Sequence, residues 1–252
     1  MATPAVSVLE THLTSYRQTW RADAASSLIT PFLILVTFGV GVGAYVGRMD
    51  GVPYADYLVP GLLAAGAVQL GTWAGSYPVF SGLNWLKNFH LMFTAPLRVG
   101  DVLAGHALFA QVQIAISGAA LLLVAAAFGT LHSWWALVAL PVAGLVGLSV
   151  FLPMYALAAS VRVEMYMNMT LQFVVLPLTL FAGVYFPVSD LPTVLRALAY
   201  ASPLWHAADL CRAATLGRAP DWSASGHVVY LLCWVATGGW LAHRALRKRL
   251  YV

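Results

Sequence analysis

The chain has 252 residues, 61% of them hydrophobic and only 9% charged, with a formal net charge of +4 and a mean hydropathy of +0.80. Soluble domains carry about 25% charged residues, so a length that would suit one ordinary soluble domain is better counted here in membrane spans. The thirteen basic residues are scattered, which gives no nucleic-acid signal, and the two cysteines, Cys211 and Cys233, make no disulfide framework.

In chain order, the first 23 residues are polar and mixed in charge. Val6, Leu9, Leu13, Tyr16 and Trp20 recur there at spacings of 3, 4, 3 and 4. That spacing places them on one helical face and predicts an amphipathic helix over 1–23 lying in the membrane interface. A cleavable signal peptide is not expected, because the first apolar run is longer than a signal core. Stretches without Asp, Glu, Lys or Arg then predict spans over 24–47, 57–82, 102–128, 134–161, 165–186 and 222–243. The turn between the third and fourth falls at 129–133, just before the interfacial pair Trp134 and Trp135. The expected fold is therefore all-α and integral to the membrane, with six transmembrane helices.

Residues 165–212 are the most informative. Positions 165–189 carry no charge, and then Pro187 and Pro192 break the chain around Asp190. A second apolar piece over 195–208 is too short to span and is interrupted by Pro203. A full span followed by a half-length, proline-broken piece predicts a re-entrant hairpin over 187–210 between spans five and six. Such backbone survives at membrane depth only when buried in protein or facing a water-filled path. Cys211 would fall in the following outer loop and Cys233 inside a span, so no bridge is expected.

With the N-terminus inside, the inner segments hold Arg17, Arg21, Lys87, Arg98, Arg162, Arg244, Arg247, Lys248 and Arg249, against Arg48, Arg196, Arg212 and Arg218 outside. The bias predicts a protein of the cytoplasmic membrane with both termini cytoplasmic. The basic run at 244–249 acts as a topology anchor and is suited to anionic lipid headgroups.

Several chemistries find no support. No G-x-x-x-x-G-K-[ST] loop exists, since Lys87 follows Leu86 and Lys248 follows Arg247. The seven histidines form neither H-x-x-x-H nor HExxH, and Gly-x-Ser-x-Gly is absent. No acidic residue falls mid-span, where ion-coupled carriers keep carboxylates; Asp101 and Glu164 lie at span ends. His106, one turn inside its span, is expected to make an internal hydrogen bond. Polar residues within spans, among them Gln69, Thr72, Ser76, Gln111, Ser117 and Asn168, should face other helices or a path. An ATP-independent carrier and an integral-membrane enzyme are alternatives that these absences disfavour.

Several pieces add up in order: the amphipathic leader, Tyr57-Leu-Val-Pro-Gly61 opening the second span, Asn84-Trp-Leu86 through Ala95-Pro-Leu-Arg98 in the first inner loop, and Asp101 to His106. They continue with Ala182-Gly-Val-Tyr-Phe-Pro-Val-Ser-Asp-Leu-Pro192, Ser202-Pro-Leu-Trp-His206 and Asp209-Leu-Cys-Arg212. With these the chain resembles the membrane subunit of type-2 ABC exporters, in the branch of NodJ-like and DrrB-like permeases, over nearly its whole length. The resemblance implies a pair of such subunits, of the same chain or a paralogue. Two nucleotide-binding subunits, which hold ATP and magnesium, would sit beneath them; no cofactor belongs to this chain. It implies a coupling helix in the loop 83–96. There Leu86, Phe89 and Phe93 share one face at spacings of 3 and 4, flanked by Trp85 and Met92. It further implies export of an amphipathic or lipid-like substrate (lipid, lipo-oligosaccharide or hydrophobic drug). The expected contacts are on the outer hairpin, at Tyr185, Phe186, Pro187, Asp190, Pro192, Trp205 and His206.

Overall fold

The computed structural model describes residues 4–86 and 98–251 and is helical almost throughout. Helix α1 (Pro4–Ile34) runs without a break through the leader and into the first apolar run. It passes into a π-helical stretch, Leu35–Val42, and a last turn, α2 (Gly43–Val46). The leader is thus not a separate element. Val6, Leu9 and Leu13 are half-buried, and Val8, off the expected face, is buried. A two-residue hairpin, β1 (Arg48–Met49) against β2 (Val52–Pro53), reverses the chain.

Helix α3 (Tyr54–Gly75) and the short α4 (Tyr77–Asn84) form the second apolar unit. The break at Ser76 has a local cause. Pro78 has no N–H to continue the ladder, and its ring would collide with the carbonyl one turn back. Helix α5 (Val99–Ala127) starts on a capping box in which the Arg98 N–H donates to Asp101 Oδ2 at 3.0 Å. It ends where Gly129 adopts φ 71°. A 3-10 turn, Trp134–Val138, leads into α6 (Ala139–Ser160).

The fifth unit is shorter than the sequence suggests. It comprises α7 (Met165–Thr170), a π-helical turn Leu171–Val175 and α8 (Leu176–Phe181). It stops at Phe181 rather than 186 because the chain reverses at Gly183, whose φ of +79° suits a residue without a side chain. A 3-10 turn, Val188–Asp190, then precedes α9 (Thr193–Tyr200) and α10 (Pro203–Leu216). Pro192 and Pro203 sit at the breaks, and α10 extends past residue 210 to a Gly217 cap with φ 67°. The final helix is α11 (Ala224–Tyr251). Among the described residues, four units, Leu28–Val46, Tyr54–Asn84, Val99–Ala127 and Trp134–Ser160, are long and apolar enough to cross a membrane.

Helix α6 is the central post, packed against α3, α5, α10 and α11. It meets α3 through glycines at spacing four. A Cβ on Gly71 would stand 2.3 Å from the Gly147 carbonyl oxygen, and one on Gly75 would stand 2.5 Å from that of Phe151. Small residues spaced this way let two helix backbones touch, which is how membrane helices gain packing without a hydrophobic drive. Two apolar clusters fill the interior. One lies at the end that holds residues 182–222, called the hairpin end below; the other joins α4, the start of α5, α6 and the end of α11.

Candidate functional site

Two features stand out: an apolar groove in the flank of the helix bundle, and a polar knot at the hairpin end. The groove encloses about 670 Å³. Its walls come from the end of α1 (Thr30, Pro31, Ile34), from α3 (Leu62, Gly66, Gln69, Thr72, Trp73), from α5 (Ile114, Ser117, Leu121), and from the fifth unit (Leu171, Val175, Thr179), with Tyr185 at one edge. Space is left there because Gly66 has no atom within 4 Å of where a Cβ would stand. Two of its walls also carry π-helical turns, at Leu35–Val42 and Leu171–Val175, where the helix is widened. Thr72 Oγ1 is buried in this wall with no hydrogen-bond partner. A buried unpaired hydroxyl costs about 1–3 kcal/mol, and because it is buried it is closed to an occupant of the groove.

Other polar residues within the helices are spent on packing. Gln111 Nε2 donates to the Gly144 carbonyl at 3.0 Å, Tyr77 hydroxyl donates to Asn168 Oδ1, and His106 Nδ1 lies 3.3 Å from the Tyr155 hydroxyl.

The knot at the hairpin end brings together three sequence motifs that lie far apart in the chain. The Gly183 carbonyl accepts from the Tyr57 hydroxyl at 3.1 Å and from Arg212 Nη2 at 2.8 Å. The Arg212 guanidinium lies over the Tyr57 ring, with Cζ 4.0 Å from its centroid. Gly61, one turn along α3, admits the backbone of Val184, whose oxygen would be 2.8 Å from an added Cβ. Arg212 is only 5% exposed and makes no ion pair among the described residues, so a carbonyl dipole and a ring face are what offset its charge. Charge is therefore buried at this end of the molecule. Asp56, Asp209 and Arg212 are all buried. Asp56 is held by His132 Nε2 at 2.7 Å.

Beside the knot, Tyr200, Trp205, Trp222 and Tyr230 box in His206 and His227, with Tyr230 stacked on the His206 ring at 4.0 Å. His206 Nε2 is 3.0 Å from the Tyr200 carbonyl, an acceptor only, so that nitrogen carries the proton. Its Nδ1 must then accept from His227 Nδ1–H, 2.8 Å away. His227 Nε2 stands 3.1 Å from Asp209 Oδ2 without forming a hydrogen bond to it. Burial, and next the neighbouring His227, hold the His206 pKa down to about 4.

The expected site residues are dispersed. Tyr185 lines the groove, with its ring 6.0 Å from that of Phe38. Phe186 and Pro187 are half-buried, and Asp190 and Pro192 are exposed at the tip. Trp205 and His206 are in the core at 3% and 2% exposure, not on a surface that cargo could touch, because the aromatic box closes over them. Cys211, expected in an outer loop, is fully buried in α10, and both cysteines are free. Trp85 and Leu86 are 60% and 62% exposed after α4; Phe89, Met92 and Phe93 lie outside the described residues. Sequence reasoning missed Tyr57 and Arg212 as partners. The available signal was that Arg212 and Asp209 are the only charges in 197–217, an unlikely composition for an exposed loop. Among the described residues no cluster of three metal-ligating side chains occurs.

Comparison with known proteins agrees with this architecture. The family model of the ABC-2 type transporter matches residues 6–216. Nodulation protein J of Rhizobium leguminosarum bv. trifolii is 33% identical over 238 residues, covering 92% of this chain and 89% of the relative. Nodulation protein J of Rhizobium meliloti (strain 1021) is 28% identical over 248 residues, covering 97% and 93%. The inner membrane transport permease YadH of Escherichia coli (strain K12) is 26% identical over 232 residues, covering 87% and 88%. These matches, over most of the chain, define the class as a transporter permease. The chain belongs to the ABC-2 type transporter family, as a membrane permease similar to nodulation protein J.

Proposed function

We propose that this permease is the membrane half of an ATP-driven exporter that carries an amphipathic, lipid-like molecule outward across the cytoplasmic membrane. The observation that carries the reading is the 670 Å³ groove, apolar but for Gln69, Thr72, Ser117, Thr179 and a few other polar groups. A hydrocarbon tail gains about 25 cal/mol per Å² of apolar surface taken from water, whereas an ion or free sugar would find no charge there. In this reading α11 and the fifth unit complete six spans, both termini face the cytoplasm, and α9 with α10 form a re-entrant hairpin on the outer side. A second permease subunit, the same chain or a paralogue, closes the path. Nucleotide-binding subunits dock on the loop 83–96 through Trp85, Leu86, Phe89, Met92 and Phe93. Those subunits hold ATP and magnesium, which supply the energy of hydrolysis.

The test is to fill the groove. Gly66→Trp places an indole where no atom stands within 4 Å of a Cβ. In proteoliposomes holding the full complex, transport of a fluorescent lipid-linked probe should fall at least tenfold while the variant still assembles with its ATPase. Undiminished transport by an assembled Gly66→Trp complex would remove the groove from the path.

A further inference from the structure

The end of α11 is fastened to the start of the loop that we read as the ATPase contact. Arg249 Nη2 donates to Asn84 Oδ1 at 2.6 Å. The Asn84 amide in turn donates through Nδ2 to the Phe80 carbonyl at 2.9 Å, which fixes its orientation. Arg244, Arg247 and Lys248 are exposed, as a topology anchor requires, but Arg249 is turned inward and half-buried. One turn earlier Leu246 is fully buried, in the cluster that also holds Val79, Phe80 and Leu83 of α4 and Val99 and Val102 of α5. The two shores of the loop are held differently. On the far side, Arg98 and Asp101 cap α5 within four residues of chain. On the near side, Trp85 and Leu86 are exposed, and Arg249 adds a hydrogen bond from a distant element to the packing of α4 against α5, α6 and α11.

The other end of α11 meets the hairpin. His227, in its first turn, is 2.8 Å from His206 and 3.1 Å from Asp209, both on α10. Between these ends α11 lies along α6, so close at Gly238 that a Cβ there would stand 2.7 Å from Pro153. The helix has 28 residues, roughly 42 Å at 1.5 Å per residue.

We infer that α11 is a strut joining the 83–96 loop to the hairpin, and that Arg249 is the positioning residue that engages it. A displacement of Asn84 pulls on Arg249 and moves α11 along α6. The His227 contacts carry that movement to α10 and so to the hairpin. This inference rests on the reading of 83–96 as the ATPase contact.

The experiment uses the full complex in lipid and measures substrate moved per ATP hydrolysed, ATPase subunit retained, and labelling of a cysteine at the exposed position 198 with and without ATP. Arg249→Ala should lower transport per ATP at least fivefold and abolish the ATP-dependent change in labelling, with ATPase retention within twofold of the parent. Arg249→Lys should restore part of the loss. Asn84→Ala should match Arg249→Ala, and the double variant should be no worse than either, as two ends of one link must behave. Normal coupling in Arg249→Ala, multiplying losses in the double variant, or labelling at 198 that ignores ATP in the parent each overturns the strut. Phe89→Ala and Phe93→Ala separate the two ideas. If they leave ATPase retention and coupling intact while Arg249→Ala uncouples, the docking role of Phe89 and Phe93 falls and the strut, driven from the Asn84 end of the loop, stands; if they uncouple while Arg249→Ala does not, the strut falls alone.

Discussion

Replacing Gly71 by alanine should loosen the whole bundle, whereas the same change five residues earlier should not. Both glycines sit inside α3, so each substitution gains the same helix preference, about 1 kcal/mol. They differ in what the new methyl meets. At Gly71 it would stand 2.3 Å from the Gly147 oxygen and 3.0 Å from its carbonyl carbon. A carbon and an oxygen in contact rest at about 3.3–3.6 Å, so the α3 and α6 backbones must part by about 1 Å. Overpacking costs about 1–3 kcal/mol, and because the obstacle is backbone rather than a movable side chain the upper end applies. The net is a loss of about 2 kcal/mol for Gly71→Ala and a gain of up to about 1 kcal/mol for Gly66→Ala, which meets nothing within 4 Å. For a chain of this size 1 kcal/mol shifts Tm by about 2–4 °C, so Gly71→Ala should melt roughly 4–8 °C lower. Thermal unfolding in detergent, followed by the loss of the monodisperse peak, measures both. A Gly71→Ala protein that melts at or above the parent temperature would refute the close approach of α3 and α6.

Arg212→Met should be nearly neutral in stability, since it removes a buried charge while the Tyr57 hydroxyl still satisfies Gly183; adding Tyr57→Phe should cost about 1–3 kcal/mol more, because that carbonyl is then unpaired. A double-mutant cycle by thermal unfolding reads the difference, and additive single effects would count against a shared acceptor. The depressed pKa of His206 makes the unfolded chain bind more protons between about pH 4 and pH 6.5, so stability is present above that window and is lost as pH falls through it. The expected change totals roughly 3 kcal/mol, and His206→Gln should flatten it in melts at stepped pH. The chain purified alone should hydrolyse no ATP, since it has no phosphate-binding loop; activity in a contaminant-free preparation would reject a separate ATPase. Single cysteines across 187–210 should label from outside at the tip, near Asp190, and be protected across α10. Labelling from the cytoplasmic face near residue 200 would instead mean a further full crossing.

What was legible in the sequence was what one segment decides on its own. Runs without charge outline apolar helices, and Pro192 and Pro203 mark breaks, because a missing N–H acts whatever the surroundings; Pro78, inside the span expected over 57–82, marks a further break at Ser76 that was not expected. What was not legible depends on partners distant in sequence. Phe181 ends the fifth unit because Gly183 is held by Tyr57 and Arg212, from helices 126 and 29 positions away. Aromatic Trp205 and His206 look like surface anchors in one dimension, and only the arrival of Trp222, His227 and Tyr230 turns them into core. Arg212 counts as an outer-loop charge in a topology tally, yet it is buried against a ring. The Gly71 and Gly147 contact was equally hidden, since each glycine reads alone as a mere weakness in a helix.

The wide turns beside the groove let its walls absorb a change of one residue. A π turn closes bonds from i to i+5, so it stores one residue more than an α turn. Removing one residue from Leu171–Val175 would let the ordinary ladder close while the helix on either side keeps its facing, because the extra residue is taken up within the turn. Leu176 and Thr179 would still line the cavity, and the wall would narrow where the widened turn had been. The same holds at Leu35–Val42, beside Thr30, Pro31 and Ile34. Deletions of a single codon at these two places should therefore change the width of the cavity while the remaining helices stay as they are.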